Sequence, residues 1–245
     1  MCGRIKLRAT PAELQEFFDL FREPVWSPRY NLGPMQQMLV VRQKEAGRVA
    51  DSVQWGLVPV WAKDPKIGSK MINARGETVA DKPSFRSAFI RRRCLIPASG
   101  FYEWQQLDSK TKQPWNIVRS DGLPLVFAGL WEQWKSPLGE VLESCTIITT
   151  EANQFMAEIH DRMPVILGKE CWDAWLDCEG DDSSSLHALL VPCPNDWLMR
   201  TAVSTYVNNI RNESPMCIQP LATGEVLRND RAEIHLCDGH DGHQE

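Results

Sequence analysis

The chain opens Met1-Cys2-Gly3-Arg4. Removal of Met1 would leave Cys2 with an α-amino group and a thiol on adjacent carbons. Their ordinary pKa values, about 7.7–8.0 and about 8.5, keep useful fractions of both nucleophilic near neutral pH. Such a 1,2-aminothiol condenses with an aldehyde: the amine forms a Schiff base, the thiol adds to the same carbon, and a five-membered thiazolidine closes. The second step is intramolecular and gains from proximity. The plainer reading is a small residue in a frayed terminus. Three further residues have types suited to help. Glu103 is hemmed by Phe101, Tyr102 and Trp104, and a carboxylate in apolar surroundings has a raised pKa and can serve as acid or base; strand alternation could equally turn it to water. His160 is flanked by charge in Ile159-His160-Asp161-Arg162 and would titrate near neutrality as a general acid/base, unless it is a capping or core histidine. Asn73 stands between Ile72 and Ala74, where asparagine suits a strand poorly; it positions a substrate group or caps a turn.

The charge pattern bears on the partner. The formal net charge is −5, which taken globally argues against a polyanion ligand. Yet residues 61–93 hold nine Lys/Arg against three acids, and the first ten residues add Arg4, Lys6 and Arg8 with no acid. A concentrated basic segment on an acidic body is what a local polyanion site looks like, although a solvated basic loop gives the same count. Trp61, at the head of that run, offers a stacking face for bases or joins Trp55 as a core aromatic. The 245 residues, 43% hydrophobic and 24% charged, suit a soluble globular protein with a substantial core. With no charged-then-apolar leader and no apolar run of spanning length, neither a signal peptide nor a membrane helix is expected. No cysteine pair has CxxC spacing, and the gaps in Cys171, Cys178, His187, Cys193 do not match zinc fingers. No metal or other cofactor is expected, and the thiols should be free in a reducing compartment.

The elements that would position these groups can be read in order. Thr10-Pro11-Ala12-Glu13 is a capping-box helix start, with Leu14, Phe17, Phe18 and Phe21 inward and Pro24 and Pro28 as the stop. Residues 29–34 read as an irregular loop. Runs 38–42 and about 48–55 predict an antiparallel hairpin, and 55–61 is too Pro-broken for a regular element. A helix over 84–89 precedes an apolar strand over 94–98. Strands are predicted at 115–119, 124–130 and 145–150, then a helix over 151–159 capped by Thr150, two short helices within 168–192, and a last strand over 203–209. From about 224 the chain is acidic and Gly/His-rich, with His235, His240 and His243 in that tail.

Several stretches belong together: Met1-Cys2-Gly3-Arg4, Arg29-Tyr30-Asn31, Trp55-Gly56-Leu57, Ile72-Asn73-Ala74-Arg75 with Glu77-Thr78, Gly100-Phe101-Tyr102-Glu103-Trp104, Ile159-His160-Asp161-Arg162-Met163-Pro164, and Val207-Asn208-Asn209 with Ile218-Gln219-Pro220. In this order, over about the first 220 residues, the chain resembles the SOS response-associated peptidase (SRAP) family of abasic-site processing proteins. The resemblance implies that Cys2, freed by Met1 removal, bonds to the ring-opened aldehyde of an abasic site in single-stranded DNA as a thiazolidine. It implies that Asn73 orients the sugar or the Cys2 amine, that Glu103 moves protons during ring opening and Schiff-base formation, and that His160 is acid/base at the sugar hydroxyl and the imine. Arg4, Arg75 and Arg162 would hold phosphates, Asn31 and Asn209 would add DNA contacts, and Trp61 would stack near the lesion. Two departures stand out: Ala62 and Lys63 occupy a place where some relatives carry a second aromatic, and Gly76 follows Arg75, where relatives more often have a side chain and a glycine could loosen the backbone that aims Arg75. The fold expected is α+β: curved antiparallel strands in a barrel-like sheet with helices outside, one domain over 1–222 and a flexible acidic tail over 223–245. The groove should be lined by 1–4, 61–75, 99–104 and 160–162. A monomer is expected, in the cytoplasm or nucleoid of a bacterium or the nucleus of a eukaryote. A thiol peptidase built on Cys2 and His160, a Schiff-base lyase, and a non-catalytic single-strand binder using Trp61 are the competing readings.

Overall fold

The computed structural model describes residues 2–178 and 183–221; Met1, residues 179–182 and the tail expected over 223–245, with its three histidines, lie outside the described residues. In chain order the elements are β1 (Ile5–Leu7), α1 (Pro11–Phe18), β2 (Arg29–Leu32), β3 (Gln37–Lys44), β4 (Gly47–Trp55), β5 (Asn73–Arg75), α2 (Arg86–Arg91), β6 (Arg93–Ala98), β7 (Gly100–Gln106), β8 (Lys112–Arg119), β9 (Leu125–Lys135), β10 (Val141–Glu151), α3 (Gln154–Ala157), β11 (Arg162–Pro164), α4 (Trp172–Leu176), α5 (Ser183–Ala188) and β12 (Leu198–Ala202).

Five of these strands close on themselves. The pairing runs β10-β4-β3-β6-β9 and returns from β9 to β10, so the barrel has no free edge along that circuit. One junction departs from the antiparallel expectation: β4 and β10 pair in parallel, Cys145 opposite Trp55. A parallel pair needs a long crossover, and here the chain supplies one, passing through β5 to β9 before it returns. β5 and β11 extend the sheet from β10, β5 in parallel. A second sheet, β12-β8-β7-β1-β2, is antiparallel throughout. Side chains alternate across a strand, so β3 feeds two cores: Leu39 and Val41 pack with Leu7, Phe18 and Leu95, while Met38 and Val40 pack with Cys2, Trp55 and Phe127. Both faces are covered, which is why these strands read as unbroken apolar runs.

Local chemistry explains the agreements and the corrections. The capping box forms as read, with Thr10 Oγ1 accepting from Glu13 N and Glu13 Oε2 accepting from Thr10 N. The helix then stops at Phe18, not at the prolines, because Asp19 turns left-handed (φ 52); Phe21 falls beyond the stop and is 66% exposed. Residues 29–32, read as loop, form β2 because β1 offers them a partner strand. The helix expected over 84–89 is shifted to Arg86–Arg91. Thr150 is still within β10, so α3 is short and its cap is Asn153, whose side chain accepts from Met156 N. The last strand lies at Leu198–Ala202, earlier than expected, and Thr205–Asn208 is a single 3-10 turn capped by Ser204. The basic run is also not one surface. Arg93 is 2% exposed and donates to the carbonyls of Phe89, Ile90, Trp175 and Asp177, and Arg92 pairs with Glu132 at 2.7 Å. Burying a guanidinium without partners would be prohibitive, so these cations are committed to the fold.

The crossover after β4 begins at Gly56, whose φ of 125° brings its backbone against Gly68: a Cβ on Gly56 would lie 2.6 Å from Gly68 O, and one on Gly68 2.5 Å from Gly56 O. That crossover is pinned by Leu57 N to Met71 O (3.1 Å), Val58 N to Ser144 Oγ (2.8 Å) and Trp55 Nε1 to Ile72 O (2.9 Å). It leads directly into β5 and Asn73. No helix among the described residues is long and apolar enough to cross a membrane.

Candidate active site at the amino terminus

The start of the chain is tied into the second sheet. Ile5 pairs with Phe101 and Lys6 with Gly100, and Tyr102 N donates to Arg4 O at 2.9 Å. Continued one step, this register sets Gly3 opposite Glu103. Phe101 and Glu103 share one face of β7 by alternation, and on that side Cys2 is fully buried in the same apolar cluster as Ile5 and Phe101. Cys2 is therefore not a frayed end. Burial, and secondarily the Glu103 carboxylate, push its thiol well above the ordinary range.

Asn73 opens β5, held beside β10 with Ile147 as its partner. Its Nδ2 donates to Cys2 O at 2.9 Å, while its Oδ1 is buried with no hydrogen-bond partner. An unsatisfied buried acceptor costs about 1–3 kcal/mol, so this oxygen marks a place where a donor belongs. Arg75, two residues on, is exposed on the same side of β5. At Gly76 a Cβ would sit 3.3 Å from Leu190 Cβ, so the glycine makes room for close packing.

Glu103 is 6% exposed, settling the alternation question in favour of the interior. Its Oε1 accepts from Trp104 N at 3.3 Å. Burial raises its pKa, and nearby His160 offsets part of that rise. His160 follows α3, with its N donating to Met156 O at 2.9 Å. Its Nδ1 accepts from Arg162 N at 2.9 Å and also lies 2.8 Å from Asp161 Oδ1. One nitrogen cannot do both at once. Without a proton Nδ1 accepts from the Arg162 N–H, and with one it donates to Asp161. The site thus holds a histidine with a ready partner for either state.

The remaining residues divide. Arg4 Nη1 donates to Asn31 Oδ1 and Val207 O, both at 2.8 Å, with its guanidinium 5.6 Å from the Trp104 ring centroid. Asn31 is buried, and its Nδ2 reaches Val207 O, Asn209 O and Asn212 O. Its side-chain hydrogen bonds lie inside the protein, where Asn31 clamps the 207–212 loop. Asn209 is exposed on that loop. Arg162 forms a two-pronged pair with Glu77 (2.5 and 2.9 Å) and donates to Thr149 O, so its charge is already balanced, whereas Arg75 keeps an open face. Trp61 is 53% exposed, as a stacking platform requires. Trp104, named in the sequence only as a neighbour of Glu103, has a place of its own: its Nε1 donates to Asn208 Oδ1 at 2.8 Å, making it a wall beside Arg4. The signal was its place one step from Glu103, which puts it on the opposite face of β7.

A family model described as SOS response associated peptidase (SRAP) matches residues 1–210. The abasic site processing protein YoqW of Bacillus subtilis (strain 168) is 44% identical over 222 residues, covering 89% of this chain and 99% of its own. The abasic site processing protein HMCES of Gallus gallus is 34% identical over 235 residues, covering 83% and 69%. A solved structure from Bacteroides thetaiotaomicron superposes with a TM-score of 0.80 over 90% of this chain and all of that one, at 23% identity, a likeness of fold. With the match reaching across the residues that build this site, the chain belongs to the SRAP family.

Proposed function

We propose that this protein captures abasic sites in single-stranded DNA by closing a thiazolidine between Cys2 and the ring-opened sugar. The observation that supports this most directly is the Asn73–Cys2 hydrogen bond: a terminal cysteine is fixed in place, beside a buried carboxylate and an amide oxygen lacking a donor. Removal of Met1 would free the Cys2 amine. The abasic sugar is mostly a closed hemiacetal, so acid/base assistance from His160 and Glu103 speeds ring opening. The amine then attacks the aldehyde and water leaves as the imine forms. The thiol adds to the imine carbon, its proton ending on nitrogen: a carbon–sulfur bond forms as the imine π bond breaks, and the carbon–nitrogen single bond stays in the ring. Because the buried thiol resists ionisation, it needs a base, and a carboxylate of raised pKa is a stronger one. The closed ring removes the imine that would otherwise promote β-elimination and strand cleavage. A cysteine peptidase, by contrast, requires a stabilised thiolate, and the surroundings of Cys2 work against one. Arg75 supplies phosphate attraction without reading bases, which suits a nucleotide that has lost its base.

The test is denaturing electrophoresis of the purified protein with an abasic single-stranded oligonucleotide, combined with intact mass. The expected species is protein lacking Met1 plus oligonucleotide less one water. A mature chain that retains methionine, or DNA that leaves it unmodified, sinks the reading.

Two variants refine it. A Glu whose folded pKa is raised contributes stability that is fully present below its unfolded value, about 4.3, and is lost as pH rises through the folded one. Glu103→Gln should therefore raise the Tm at pH 8, with the gain shrinking toward pH 4, while adduct formation slows by about 10²-fold or more. Melts across that range and a gel time course check both; an unchanged rate removes Glu103 from the chemistry. Trp61→Ala should weaken binding of undamaged single-stranded DNA by about 1–3 kcal/mol, read by fluorescence anisotropy, with the fold unchanged because the ring is half exposed.

A further inference from the structure

A cavity of about 540 Å³ lies beside α1, lined by Lys6, α1 and the end of β8. Its size is that of a small-molecule site. Lys6 is the feature that calls for explanation. It lies on β1, four residues from Cys2, yet only 3% of it is exposed. Its stem crosses β7 at Gly100, where a Cβ would come 2.7 Å from Lys6 Cε; the absent side chain is what lets the amine lie there. No hydrogen bond or ion pair of the Lys6 Nζ is found among the described residues. Burial, with a smaller contribution from the like charge of Arg8, lowers its pKa to about 7. Two other charged groups at the cavity have partners: Glu13 closes the Thr10 capping box, and Arg119 pairs with Asp121 at 2.8 Å and lies over Trp197. Arg8 is exposed with its guanidinium 5.9 Å from the Tyr30 ring. The opposite wall is apolar, formed by Leu14, Phe17, Leu123 and Met199.

We propose that this cavity binds a small amphiphilic carboxylate, its anionic end on Lys6 and its apolar body against Phe17 and Met199. The buried amine neutralises one charge, as a carboxylate requires, whereas the second charge of a phosphate dianion would fall to Arg8, which is exposed to solvent and a weaker partner. The apolar wall would give a bare inorganic anion nothing. The proposal is independent of the chemistry assigned to Cys2.

A bound carboxylate favours the ammonium form, so binding at pH 8 should draw about one proton from solution. Phenylacetate titrated into the full chain by calorimetry at pH 8, in HEPES and in Tris, should show one saturable site whose apparent enthalpies differ by that proton. Lys6→Met, which keeps the stem, should weaken binding at least tenfold and abolish the proton uptake. Met199→Trp, which narrows the cavity without touching β1, should weaken binding while the residual binding still takes up a proton; it also serves should Lys6→Met not fold. Absence of a saturable heat, unchanged affinity and proton uptake in Lys6→Met, or inorganic phosphate binding as tightly as phenylacetate would each overturn the proposal.

Discussion

A Cys2→Ala protein incubated with an abasic single-stranded oligonucleotide gives no denaturation-resistant adduct, while its non-covalent affinity for the same DNA persists. The expected loss is total, because alanine removes the sulfur that closes the ring and the remaining imine hydrolyses. Cys2→Ser separates the two nucleophiles: its amine still forms an imine, so an adduct appears only when borohydride is present to reduce it. Folding is not the obstacle. The thiol packs with Ile5 and Phe101, and a buried cysteine behaves as a small apolar group, so the alanine variant should melt within a few degrees of the parent, each kcal/mol being about 2–4 °C at this size. Adduct formation by the alanine variant would end the proposed chemistry. An abrupt fall in Tm would show instead that the terminus has a structural role.

Gly56→Ala is expected to be the most damaging single methyl group in the protein. The residue combines φ 125° with a would-be Cβ 2.6 Å from a backbone oxygen and 2.9 Å from a backbone carbon of Gly68. Left-handed strain alone costs about 1–2 kcal/mol, and backbone atoms cannot step aside as a flexible side chain could. A loss of more than about 3 kcal/mol, or roughly 6–12 °C in Tm, should appear in urea and thermal melts. Because the strands on either side deliver Trp55 to the core and Asn73 to the site, adduct formation should fall as well. A penalty below about 1 kcal/mol would mean that the two chain segments separate easily.

Signals that act within a few residues were legible. Thr10, Pro11 and Glu13 announced α1, and the two runs either side of the polar 43–47 turn announced β3 and β4. The residue types at positions 2, 73, 103 and 160 announced a chemistry, and the structure links Cys2 to Asn73 and to Glu103, and Glu103 to His160. What stayed hidden depends on partners far along the chain. Residues 29–32 become a strand because β1 lies beside them. Asn31 is a clamp because the 207–212 loop folds over it, roughly 180 residues later. Arg93 looked like one cation in a basic stripe, but its acceptors on α4 and just after it, Trp175 O and Asp177 O, lie more than 80 residues away. Charge counting cannot distinguish a guanidinium that meets DNA from one that fastens two helices.

β1 sits between β7 and β2, bonded on both sides. If DNA is tethered at Cys2, tension on the nucleic acid is delivered along the axis of this strand. Its cross-strand bonds would then be loaded together in shear, not peeled open one after another. The attachment point would therefore tolerate a tug from passing machinery far better than a linkage at a loop tip, and detaching the protein by force would mean dismantling the sheet.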